Sequence, residues 1–64
     1  HAHELAQAQR DVSAARAEVE YRQNAFGRSE ELLAAGAVSL EEVQRRRADL
    51  EAARAELRRA EEMV

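Results

Sequence analysis

The chain of 64 residues is predicted to be all-α, a two-helix antiparallel coiled-coil hairpin. Three observations predict it. Fifteen alanines, ten arginines, thirteen acids and no proline make up the composition of long helices. Large apolar residues recur at a spacing of seven in two runs. Between the runs stands a glycine followed by a capping serine, the chemistry of a turn between two helices.

The first helix is predicted over about residues 3–35. Leu5, Val12, Val19, Phe26 and Leu33 are each seven apart and define seam position a. Position d is then Ala8, Ala15, Arg22 and Ser29. The other partner position would hold Gln9, Arg16, Gln23 and Glu30, which cannot form a core. A sustained seven-residue repeat makes two helices supercoil about a seam. This seam is thin, with alanine in half its layers, so the helices are expected to approach closely.

The turn is predicted at Gly36, Ala37 and Val38. Gly36 suits the left-handed residue that ends a helix. Ser39 and Glu42 form a capping box, in which each side chain meets the other's backbone amide. The second helix is predicted over about residues 39–64, with Val43, Leu50, Leu57 and Val64 at a, and Arg46, Ala53 and Ala60 at d. So short a turn makes the helices antiparallel neighbours.

Register supports this arrangement, because the residue numbers of 33/43, 26/50, 19/57 and 12/64 all add to 76. One edge of the seam then offers Glu30 with Arg47, Gln23 with Arg54, and Arg16 with Glu61, each worth roughly 0.2–1 kcal/mol. The other edge carries Asp11, Glu18, Asp49 and Glu56, which Arg22 and Arg46 can answer by extending their stems outward. That edge is either solvated or a lateral contact with a neighbouring subunit. Leu5 would need a partner near position 71, and the chain lacks an initiator Met, so a segment of a longer protein is expected.

Several functions do not fit. A net charge of −3 and no basic stripe count against nucleic acid. No apolar run reaches the ~18–20 residues of a membrane span. Without cysteine there is no disulfide or thiolate metal site. Exposed helix faces give no cleft in which a carboxylate could become a general acid or base, so no enzyme, cofactor or metal is expected. His1 and His3 are read as exposed or tag-derived residues.

Three residues near the turn are not needed by the seam. Arg28 and Leu32 are four apart and form one outer stripe, and Gly27 sits inside a helix, where it costs about 1 kcal/mol against alanine. With Ser39, the spacing is R-x3-L-x6-S across the turn. The run Arg28-Ser29-Glu30-Glu31-Leu32-Leu33-Ala34-Ala35-Gly36-Ala37-Val38-Ser39 resembles the hairpin tip of periplasmic adaptor proteins, the membrane fusion proteins of the HlyD type. The resemblance covers the hairpin, nearly the whole chain, and its specificity lies in the tip.

The resemblance implies a role in tripartite efflux pumps or type I secretion systems. Such adaptors are anchored at the inner membrane of Gram-negative bacteria. They link an inner-membrane transporter to a TolC-type outer-membrane channel across the periplasm. Their hairpins assemble as a hexamer and dock tip to tip on the channel, through residues matching Arg28, Leu32 and Ser39. The lipoyl-like, β-barrel and membrane-proximal domains of the family lie outside this sequence. A generic coiled-coil spacer or dimerisation hairpin fits the arms equally well and leaves Gly27, Arg28 and Leu32 unexplained. In either case the isolated hairpin is expected to be weakly stable or self-associating.

Overall fold

The computed structural model describes all residues, His1–Val64, and contains two α-helices, α1 over Ala2–Ala34 and α2 over Leu40–Glu62. The two pack against each other as an antiparallel hairpin whose Cα positions span 52 × 13 × 9 Å. That length is what 33 residues give at 1.5 Å each. The helix bounds differ from the predicted ones by one or two residues, because terminal residues serve as caps. Ala35 is the C-cap of α1, Ser39 is the extended N-cap of α2, and Met63 closes α2.

Every buried residue lies at a predicted seam position: Val12, Ala15, Phe26, Ser29, Val43, Leu50 and Ala53. Phe26, Val43 and Leu50 form the core cluster, with Val19, Leu33 and Val38 packed on it. Burying such side chains stabilises by roughly 1.5–3 kcal/mol each. The cluster sits in the half nearest the turn, so stability is concentrated there. At the open end Leu5 and Val64 are exposed.

The d positions combine large with small. Arg22 and Ala53 border one hollow of the surface, and Arg46 and Ser29 border another. A small residue opposite each arginine leaves room for its aliphatic stem while the guanidinium reaches water. Ser29 is buried because its hydroxyl donates to the Phe26 carbonyl at 2.7 Å, which satisfies it within its own helix.

Two of the three predicted edge pairs form. Arg54 Nη2 donates to Gln23 Oε1 at 2.9 Å, and Arg16 lies 3.8 Å from Glu61. These cross-helix contacts have the predicted register. The third pair, Glu30 with Arg47, does not form. The Arg47 guanidinium lies over the Phe26 ring instead, 4.8 Å from its centroid. An exposed cation–π contact is worth about 0.5–1 kcal/mol, no less than an exposed ion pair.

The turn is a full Schellman motif. Gly36 has φ +75°, its N–H donates to the Leu33 carbonyl at 2.9 Å, and the Ala37 N–H donates to the Leu32 carbonyl at 2.8 Å. Val38 then folds onto the core cluster. The capping box is half made. The Glu42 N–H donates to Ser39 Oγ at 3.2 Å. The Glu42 carboxylate does not reach back to the Ser39 amide; it accepts from Arg46 at 2.7 Å and from Arg45 at 3.4 Å. A charge-assisted bond to a guanidinium is stronger than one to a neutral amide.

Candidate functional site at the hairpin tip

The tip is built by the Schellman turn, which brings the end of α1 beside the start of α2. Spacings of four, three and four put Tyr21, Ala25, Arg28 and Leu32 on one stripe of α1. Tyr21 is 57% exposed and Leu32 is 41% exposed. With Ser29 and Val38 they border a shallow hollow of about 260 Å³, closed on the α2 side by Glu42 and Arg46.

Arg28 is exposed and makes no hydrogen bond or ion pair with the rest of the chain. The other arginines of the hollow are occupied. Arg22 Nε donates to Glu18 at 2.7 Å and lies 3.7 Å from Asp49, and Arg46 Nη1 donates to Asp49 at 3.1 Å. Hydrogen bonding to Glu42, then the charges of Glu42 and Asp49, hold the Arg46 guanidinium above its ordinary pKa. The predicted answer to the acidic edge is therefore in place, as a chain of alternating charges from Glu18 to Glu42.

Of the predicted tip residues, Arg28 and Leu32 share the hollow, while Ser39 lies at the start of α2 outside its lining. The Ser39 hydroxyl accepts from the Glu42 amide, which ties it to the shape of the turn. Gly36 and Ala37 are exposed and supply the turn's backbone bonds, and Val38 anchors it. Gly27 is open: a Cβ there would meet nothing within 4 Å. Sequence reasoning missed Tyr21 as a surface residue of this site. The signal was present, since Tyr21 continues the Arg28–Leu32 stripe by two turns.

No group of His, Asp and Glu side chains is arranged to hold a metal ion, and no helix is long and apolar enough to cross a membrane. The exposed chemistry of the tip is a free guanidinium, a leucine and a tyrosine on one face. Its class is thus an antiparallel two-helix hairpin with an uncommitted tip. No protein-family model, curated protein or solved structure matches the chain.

Proposed function

We propose that the chain is the α-helical hairpin of a periplasmic adaptor of the HlyD type, docking tip to tip on a TolC-type outer-membrane channel. The longer protein would link that channel to an inner-membrane transporter for efflux or secretion. One observation supports the reading above others. Arg28 and Leu32 share a stripe beside the turn, and the fold uses neither: the guanidinium has no partner and the leucine lies outside the core cluster.

The chemistry suits such a contact. A planar guanidinium offers a forked donor to carbonyls or carboxylates on the partner's tip. Leu32 offers an apolar knob for a groove between helices. Ser39, through its cap, keeps the turn in shape.

The test is transport by the full-length protein carrying Arg28→Asp or Leu32→Ser. Each variant is expected to abolish transport while the protein remains folded, expressed and bound to its inner-membrane transporter. Gln7→Ala and Glu51→Ala, at outer positions down the arm, are expected to be silent. Removing one side of a desolvated charged contact costs roughly 2–5 kcal/mol, and a ring of copies repeats that loss. Normal transport in both tip variants would exclude the docking role.

A further inference from the structure

The outer face of α1 near the tip holds residues that disfavour the helix they belong to. Asn24 and Gly27, three positions apart, are both weak helix formers. Ala17 fills the outer position one heptad below Asn24, where it is exposed, so the seam does not demand asparagine there. Glu31 lies in the last turn of α1, which holds no basic residue, and its charge meets the negative end of the helix dipole. Arg28 stands between Gly27 and Glu31, and the spacing puts all four on one stripe.

Nothing inside the chain compensates for these choices. A Cβ at Gly27 would meet nothing within 4 Å. Asn24, Arg28 and Glu31 are exposed, and their side chains make no hydrogen bond or ion pair within the chain. With Gln23 they border an open hollow of about 500 Å³ that has no apolar side chain in its lining. Gln23 is held at one rim by Arg54, at 2.9 Å. Arg28 also borders the hollow that holds Leu32, so the two hollows are neighbours. Local choices that cost a helix stability, gathered at one place with no gain to the fold, mark a functional surface.

We infer that this hollow seats the C-terminal turn of a partner protein's α-helix, laid against the bare backbone of Gly27. Charge and hydrogen-bonding chemistry select that occupant. The last four carbonyls of a helix lack partners within it and carry the negative end of its dipole. The Arg28 guanidinium and the Asn24 amide are free donors suited to such carbonyls. Glu31 has the sign to pair with the Lys or Arg that favours a helix's last turn. A helix N-terminus, with its free N–H groups, would instead set its positive end against Arg28. An apolar helix face would find no apolar side chain in the hollow. Glycine lets the partner's main chain approach α1 closely, where any Cβ would hold it off. The partner is the tip of the outer-membrane channel, taken from the docking reading on which this assignment rests. What is added is the part of that tip that is held, and the face of the hairpin that holds it.

The test uses the full-length protein in cells, with transport and crosslinking to the channel as readouts. Gly27→Leu favours α1 by helix propensity and Glu31→Arg by its dipole, so an unfolded helix does not explain a loss in either. Each is expected to lower transport about tenfold or more, with expression and transporter binding unchanged. Ser13→Leu, at the heptad position of Gly27 two repeats down the arm, is expected to be silent. Photo-crosslinks from position 24 are expected to map to the last turn of a channel helix. Normal transport in either Gly27→Leu or Glu31→Arg, with transport lost in Arg28→Asp, would overturn the inference and leave the docking role standing. Crosslinks from position 24 that map to a helix N-terminus or an extended segment would overturn the choice of occupant. Normal transport in all three variants would remove the docking role together with the inference.

Discussion

Gly36 is the residue on which the turn depends most. Its φ of +75° lies in the left-handed region, yet a Cβ there would meet nothing within 4 Å. Any cost of substitution is therefore backbone strain rather than a clash. Gly36→Val is expected to lose about 1–2 kcal/mol, and Ala37→Val clearly less. Thermal melts of the two variants check this, and equal melting temperatures would contradict it. Ser29 behaves in the opposite sense. Its buried hydroxyl bonds only to its own helix, at the Phe26 carbonyl. Ser29→Ala is expected to raise the melting temperature slightly, since alanine is the better helix former and leaves no polar group to satisfy. At Arg46 the guanidinium pKa is raised, first by its bond to Glu42. A raised basic pKa gives stability that is present below the unfolded value and lost only as pH rises through the folded one. For arginine that window lies far into alkali, so the Arg46 contribution is constant through the neutral and mildly alkaline range.

The helices were legible from the seven-residue spacing, because seam residues of a two-helix fold have only one surface to bury. All of the buried residues fell on that count. The turn was legible because glycine at φ > 0 and a serine N-cap have few other uses side by side. What escaped were choices between contacts of similar energy. Arg47 takes the Phe26 ring over Glu30, and Glu42 takes two arginines over the Ser39 amide. Spacing places these groups within reach of several partners and does not rank them. Tyr21 escaped for another reason: it lies two turns below Arg28, off the seam count and outside the R-x3-L-x6-S spacing, so neither pattern marks it. Gly27 gives the test at this scale. It is helical, with open space where a Cβ would lie. Gly27→Ala is expected to stabilise the isolated chain by about 1 kcal/mol, as a higher melting temperature. A lower one would show that another backbone lies against that position.

For the whole molecule, the uneven seam sets the behaviour. The core cluster of Phe26, Val43 and Leu50 holds the tip half, while Val12 and Ala15 are the buried residues of the open half. Melting is therefore expected to begin at the open end, and the midpoint to rise with chain concentration if copies pair. Circular dichroism at low and high concentration measures this, and a sharp, concentration-independent transition at high temperature would contradict it. The tip is expected to outlast such fraying, since its turn and its core cluster lie together. That is the arrangement a docking tip needs: rigid support below and uncommitted chemistry above. Of the proposed tip residues, the fold leaves the side chains of Arg28 and Leu32 outside its ion pairs and core cluster, and the engagement of the Ser39 hydroxyl by the Glu42 amide was legible from their spacing.

The most direct measurement of the docking claim is site-specific photo-crosslinking in cells, with the probe placed in turn at positions 28, 32, 7 and 51 of the full-length protein. Crosslinks to a TolC-type outer-membrane channel are expected from positions 28 and 32, at the tip, and none from 7 or 51 on the arms. Crosslinks from the arms alone, or none from the tip while the protein is folded and the channel is present, would contradict it.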